Sequence, residues 1–266
     1  MKKISVIASL ILLTSAIFAY GYLIYPHSTT LPSGSSLDPP SFEHLLGTDD
    51  LGIDIFAQLS RSYFISLFLG ISTSLFATSL GGSLGFLSGY LGGRVDQFLL
   101  FLIDVFAAVP RLPVMILLGT FIGDSPFNLL LIIGLFSWAP IARLIRNATM
   151  IEKEKGYVQY SKRFGASLWH LFHKHLSKVL LPLLIVSGIR VIGLTIVSEA
   201  SLAFVGLINP TQKSMGIMIN RALNFSGIYY TNFWTWWMIP PIVVLVWMTF
   251  LLRELSMTVE EASQKG

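Results

Sequence analysis

Residues 62–91 read SYFISLFLGISTSLFATSLGGSLGFLSGYL, thirty consecutive positions without a charged side chain. About 20 such residues already cross the hydrocarbon core of a bilayer as a helix. The stretch therefore reads as a transmembrane helix with length to spare, taken up by tilt, a bend at a Gly or interfacial ends. Comparable apolar blocks lie near 4–24, 97–120, 127–147, 179–206 and 236–253, which makes six spans. The whole chain agrees: of 266 residues 53% are hydrophobic and 12% charged, and mean hydropathy is +0.70. A water-soluble core cannot absorb that much apolar surface. The expected fold is an all-α, polytopic membrane bundle of about six transmembrane helices. Cysteine is absent, which excludes disulfides, thiolate metal sites and cysteine nucleophiles.

Charge placement orients the bundle. Residues 143–178 carry eight Lys/Arg against two acids, and Lys2 and Lys3 open the chain, whereas 25–60 holds five acids and no Lys or Arg. The positive-inside bias puts the basic loop and both termini in the cytoplasm and the acidic segment outside. The apolar run after Lys3 is longer than a secretory signal core and reads as an uncleaved first helix. Four prolines (26, 32, 39, 40) and clustered serines make 25–60 an extended external loop, and 207–235 is a second one. Phe233, Trp234, Trp236 and Trp237 suit either a membrane-interface aromatic belt or a ligand surface. The organisation expected is a first helix with its external loop over 1–61, a transmembrane domain over 62–255 and a cytoplasmic tail over 256–266.

Three sets of residues stand out. Gly81, Gly85, Gly89 and Gly93 recur every fourth position, with a neighbouring row of Gly70, Ser74, Thr78 and Gly82, and small-residue rows let helix backbones approach where lipid removes the hydrophobic drive. Such a face packs within the chain or against a partner helix. Asp104, Arg111, Arg190 and Glu199 lie in or near apolar runs, and each would cost about 2.5–3.5 kcal/mol at mid-bilayer. Arg190 and Glu199 are about 13.5 Å apart along one helix, so each needs another partner, in a structural ion pair, at the interface or in a translocation path. The third set is the loop 152–178. It is too polar to span, yet Tyr157, Tyr160, Phe164, Leu168 and Leu171 form a helical stripe, interrupted by Gly165. Two short helices bent at Gly165-Ala166-Ser167 are expected, with Ser167 capping the second. A stripe flanked by cations lies on anionic lipid or docks into a groove of a cytoplasmic protein. His170, His173 and His175 do not share one helix face, no nearby carboxylate joins them, and no metal site is assigned. No phosphate-binding loop and no H-E-x-x-H motif occur, and no G-x-S-x-G nucleophile turn is expected. The chain is expected to catalyse nothing alone, to bind no nucleic acid and to hold no cofactor.

Four collinear stretches resemble one family. Tyr157-Val158-Gln159, Gly165-Ala166-Ser167 and Lys174-His175-Leu176 resemble the EAA loop of ABC importer permeases, in the form typical of the dipeptide, oligopeptide and nickel class. Leu46-Gly47-Thr48-Asp49 with Leu51-Gly52 and Asp54 resembles the external motif of that class. Gly89-Tyr90-Leu91-Gly92-Gly93 with Val95-Asp96, Asp104 and Pro110 resembles its turn between spans two and three. Ser198-Glu199-Ala200-Ser201-Leu202-Ala203-Phe204, with Gly206-Leu207, Gly216 and Met218, resembles the end of its fifth span. The sequence departs from the class at Ile53, Tyr160-Ser161, Ser177-Lys178, Met215 and around Arg253-Glu254.

The resemblance implies the type I importer permease fold of the C-type subunit. It also implies a separate ATPase subunit carrying ATP and Mg, a second homologous permease, an extracytoplasmic solute-binding protein, and the cell membrane of a prokaryote. Tyr157, Val158, Gln159, Phe164, Gly165, Ala166, Ser167, Leu171 and His175 would couple to the ATPase, and the cargo would be short peptides or nickel and metal chelates. Two other readings compete. One is an ion-coupled secondary carrier using Asp104, Arg190 and Glu199, although no inverted repeat is visible. The other is a membrane scaffold whose 152–178 loop only binds lipid. If the loop transmits movement through a fixed turn, Gly165→Asp should cut transport severely while the protein stays in the membrane. Uptake assayed at matched expression checks this, and unchanged uptake contradicts it.

Overall fold

The computed structural model describes residues 2–122, 125–207 and 213–265. The described residues form helices α1 (Lys2–Leu23), α2 (Ile55–Leu91), α3 (Gly93–Ala108), α4 (Arg111–Ile122), α5 (Pro126–Lys153), α6 (Gly156–Arg163), α7 (Leu168–Leu171), α8 (Ser177–Phe204), α9 (Met215–Asn224), α10 (Trp234–Trp237) and α11 (Ile239–Lys265). A π-helical turn, Phe172–Leu176, joins α7 to α8. Among the described residues five helices are long and apolar enough to cross a membrane, and six spans result if the bent pair α3 and α4 counts as one. The expected count is thus reached, but the span near 97–120 is not straight. Its halves meet at 88°. Pro110 explains the break: it offers no N–H and disfavours helix at the residue before it, and Val109 is extended (φ −78°, ψ 127°).

Helix α2 is the axis of the bundle, packed along α5 and α8, with α11 against α8 and α1 against α2 and α11. The small residues decide how closely. A Cβ on Gly81 would meet the Trp138 carbonyl oxygen, one on Gly85 the Ala142 carbonyl oxygen, and one on Gly89 the Arg146 carbonyl oxygen. The backbone of α5 therefore lies directly on this row. The second row faces α8: Gly70 meets Ile192, Gly82 meets Leu184, and Ser74 Oγ donates to the Gly188 carbonyl at 2.8 Å. Gly93 does not belong to the packing row. It opens α3 after Gly92 ends α2, both have positive φ (67° and 58°), and open space surrounds its Cβ position. Only a residue without a Cβ turns so sharply without strain.

The segment 25–54 is folded, not extended. Gly47 and Gly52 take positive φ, Thr48 pairs with Asp54 in an antiparallel bridge, and Asp54 caps α2 through the Ala57 N–H, 2.9 Å from Oδ1. The cap moves the start of α2 seven positions upstream of 62. Ile55 and Leu59 then enter a core with Phe18, Tyr63, Ile196, Met215, Met218 and Trp237. The aromatic belt is corrected in the same way: Trp237 is buried in this core, Phe233 and Trp236 pack against it, and Trp234 is the exposed member. The loop 207–235 contains α9, whose Met215, Met218 and Ala222 share the core with Trp237.

Gly85→Ala should destabilise the protein by roughly 1–3 kcal/mol through forced separation of α2 and α5. Gly119→Ala should be neutral or slightly stabilising, because it lies in α4 with open space around it. Thermal aggregation midpoints in one detergent compare the two; equal midpoints would contradict the packing assignment.

Candidate functional site

The loop between α5 and α8 folds into a helical hairpin because its sequence terminates and restarts a helix within four residues. Gly165 takes φ +80°, its N–H donates to the Lys162 carbonyl at 3.0 Å, and the Ala166 N–H donates to the Ser161 carbonyl at 3.1 Å. These two bonds are a Schellman cap, which closes α6. Ser167 Oγ then accepts from the His170 N–H at 3.3 Å, capping α7 as its type and position predict.

The expected stripe is divided by the fold. Val158, Leu171 and Leu176 turn inward and are buried, whereas Tyr157, Tyr160 and Phe164 are exposed, Phe164 to 89%. The Leu168 side chain lies outside the described residues. Gln159 and His175 serve the hairpin itself: Gln159 Nε2 donates to the Lys153 carbonyl at 3.1 Å, and His175 Nε2 lies 3.1 Å from Ser161 Oγ with its ring 5.2 Å from that of Tyr157. Tyr157 donates its hydroxyl to Glu152, which also pairs with Lys155 Nζ at 2.7 Å. Phe172 meets Phe86 of α2 edge to face at 5.1 Å. Gly165, Ala166 and Ser167 form the turn. The hairpin is therefore tied to the ends of α5, α2 and α8, and it presents Tyr160 and Phe164 outward.

A second cluster joins the same ends. Asp96 on α3 accepts from Arg146 Nη2 at 2.6 Å and from Ser88 Oγ at 2.6 Å, while Lys153 Nζ donates to the Gly89 carbonyl at 2.6 Å. The Gly89–Asp96 resemblance pointed to this turn. Arg146 and Lys153 carried no signal beyond membership of the basic loop.

The intramembrane ionisable residues do not converge. Asp104 pairs with Arg143 on α5, and both are largely exposed. Arg190 pairs with Glu260 on α11 and donates from Nε to Ser256 Oγ at 3.1 Å. Glu199 is buried near the other end of α8, where Ser66 Oγ of α2 donates to it at 3.3 Å and Ser214, the cap of α9, adds a second hydrogen bond. Three partners on three different helices give anchors, not one shared ion site.

At the acidic end, Asp49 Oδ1 accepts from the N–H groups of Leu51 and Ile53 at 2.9 Å, and its Oδ2 accepts from Gln58 Nε2 at 2.8 Å. Arg221 Nη2 reaches Asp50 Oδ1 at 2.8 Å, tying α9 to this cap, a connection no sequence pattern announced. Burial lowers the pKa of half-buried Lys213, which also stands near Arg221 and Arg61. His27, His44 and Asp54 come together here. Hydrogen bonding engages each of them: His44 Nδ1 donates to Asp54 Oδ2 at 2.8 Å, Tyr25 OH donates to the same oxygen at 3.2 Å, and His27 Nε2 donates to the Glu43 carbonyl at 2.8 Å. Gly81-Gly82-Ser83-Leu84-Gly85 spells a hydrolase nucleophile pattern, but it lies within α2, where Ser83 Oγ donates to the Leu80 carbonyl at 3.0 Å. The strand-to-helix elbow that exposes such a serine is missing there.

The described residues thus form a helical bundle with a helical hairpin at one end and a folded cap at the other. The chain belongs to the family of binding-protein-dependent transport system inner membrane components, which matches residues 81–259. It is 33% identical over 209 residues to the probable D,D-dipeptide transport system permease protein DdpC of Escherichia coli K12, covering 78% of this chain and 69% of that one. It is 33% identical over 205 residues to the dipeptide transport system permease protein DppC of Bacillus subtilis 168, covering 76% and 64%. It is 30% identical over 224 residues to the oligopeptide transport system permease protein OppC of the same strain, covering 84% and 73%. The fold matches that of a chain in inward-facing structures of the MetNI methionine ABC transporter, with a TM-score of 0.58 at 19% identity over 77% of this chain and 96% of that one. The protein is thus a multi-pass permease subunit of an ABC importer, a transport component and not an enzyme.

Asp96→Ala should leave Arg146 unpaired at the α2–α3–α5 junction and destabilise the protein by about 3 kcal/mol or less, discounted for partial exposure. A detergent melting series on the wild type, Asp96→Ala and Asp96→Asn checks this. Identical melting of all three would contradict the role given to Asp96.

Proposed function

We propose that this chain forms half of the translocation channel of an importer for short peptides, driven by a separate cytoplasmic ATPase seated on the 154–176 hairpin. The carrying observation is the hairpin's construction: a Schellman-capped turn at Gly165 holds Tyr160 and Phe164 outward on a base buried through Val158, Leu171 and Leu176. Exposed aromatic rings on a rigid base suit a protein groove, where such side chains supply most of the binding energy. ATP and Mg would bind the partner, a second homologous permease would complete the channel, and an extracytoplasmic binding protein would deliver cargo to the folded cap. Both termini would be cytoplasmic, and lipid would surround the spans. Closure of the ATPase pair would move the hairpin as one body and tilt α5 and α8, which it connects.

Peptide cargo is supported by the names of three relatives, each described as a dipeptide or oligopeptide permease. No observation favours nickel. The carrier reading loses its support because Asp104, Arg190 and Glu199 bind separate helices.

Purification of the tagged chain in mild detergent should recover an ATPase subunit and a second permease. Phe164→Asp should reduce the retained ATPase about tenfold or more without reducing the amount of folded chain. Peptide uptake into cells should stop on ATP depletion or with vanadate and should ignore collapse of the ion gradient. Uptake that follows the ion gradient, or unchanged ATPase recovery with Phe164→Asp, would contradict the proposal.

A further inference from the structure

The Pro110 break has a consequence inside the bundle. It starts α4 at Arg111, and Arg111 lines a cavity of about 330 Å³ with Ser137, Pro140, Ser187 and Arg190. Ser137, Pro140, Ser187 and Arg190 sit inside their helices, and Arg111 is the first residue of α4. Arg190 is 14 residues from the end of α8 at Phe204, about 21 Å, and Ser137 is 11 residues from the start of α5 at Pro126, about 16 Å. A guanidinium group within an apolar span cannot face lipid cheaply, since at mid-bilayer it costs roughly 2.5–3.5 kcal/mol on insertion scales. It belongs beside water or an anion.

The local charges do not cancel. Arg190 has Glu260 and Ser256 as partners. Arg111 has no carboxylate within ion-pair distance among the described residues. The cavity wall thus holds two cations, one nearby anion and two serine hydroxyl groups, set in an otherwise apolar lining of Ile141, Leu144, Val191 and Leu194. A guanidinium offers a planar fork of N–H donors that matches a carboxylate. The Ser187 hydroxyl can complete the solvation of the second oxygen, whereas that of Ser137 already donates to the Ile133 carbonyl at 2.8 Å.

We infer that Arg111, assisted by Arg190 and Ser187, forms a subsite in this cavity for the carboxylate of the solute in transit. The inference rests on the peptide-import reading above and deepens it: the channel would take anionic or zwitterionic cargo and hold its carboxylate transiently. Arg190 is restrained by Glu260 on α11, so the free charge of Arg111 is the element that meets the cargo. The subsite must be weak enough to release what it binds, and the cavity's mixture of one unpaired cation with an apolar wall fits that requirement. An acidic side chain of the second permease is the competing occupant, and it is separated by the test.

The test uses the complete importer, co-purified with its ATPase, second permease and binding protein and reconstituted in liposomes, with a labelled alanyl tripeptide as the probe. Wild type, Arg111→Gln and Arg111→Lys are compared for ATP-driven uptake and for the amount of second permease retained. The binding protein sets the apparent KM, so loss of the subsite should appear in turnover. Arg111→Gln should lower kcat about tenfold with KM changed less than about twofold, and Arg111→Lys should recover most of the loss. Equal kcat in wild type and Arg111→Gln would overturn the inference. So would loss of the second permease from Arg111→Gln with its retention in Arg111→Lys, which would place the guanidinium in an intersubunit ion pair. Absence of uptake of the tripeptide and of a mixed di- and tripeptide pool by the wild-type complex would instead overturn the peptide-import reading.

Discussion

The structure depends on how closely α2 approaches its neighbours. In lipid no hydrophobic force draws helices together, so association rests on van der Waals contact and interhelical hydrogen bonds. Gly81, Gly85 and Gly89 let the backbone of α5 lie directly on α2, and Gly70, Ser74 and Gly82 do the same for α8. Because α5 and α8 flank the hairpin, these rows fix the base from which it projects. The Asp96–Arg146 pair and the Lys153 bond to the Gly89 carbonyl close the same junction at its polar end.

The opposite end is built on a different principle. There, water is available, and the chain spends polar side chains on shape: Asp49 and Asp54 collect backbone N–H groups, His44 and Tyr25 hold Asp54, and Arg221 fastens α9 to the cap. Buried Glu199 links this cap to the membrane region through Ser66 and Ser214. One end of α8 thus terminates in a hydrogen-bonded latch and the other in the helical hairpin. Such a helix is suited to relaying a change between the two faces.

Most of this architecture was legible because lipid imposes strong sequence rules. Uncharged runs gave the spans, the four-residue glycine period gave the packing row, and the Gly165 interruption with Ser167 gave the hairpin and its cap. The failures have physical causes. Gly93 shares the four-residue spacing, but Gly92 ends the helix first, and periodicity does not register where a helix stops. Pro110 lies in an apolar run where a kink and a right-angle break look the same. Turn residues over 25–54 signal that the chain bends, not that the bends close on one another through Asp49 and Asp54. Trp236 and Trp237 have the composition of an interface belt, and composition does not show that they pack into the core beside α9. The coupling stripe was read as one face, yet Leu171 points inward while Phe164 points outward, because the Schellman turn rotates one half against the other.

The central claim is that the hairpin is a rigid docking element for a cytoplasmic ATPase. The chain has no cysteine of its own, so one introduced as Tyr160→Cys and carrying a photo-crosslinker reports on a single place. Irradiation of native membranes should yield a crosslink to an ATPase subunit, of similar yield with and without ATP, because a rigid hairpin moves with the subunit it occupies. Crosslinking to lipid alone, or to an ATPase subunit only in one nucleotide state, would contradict the account.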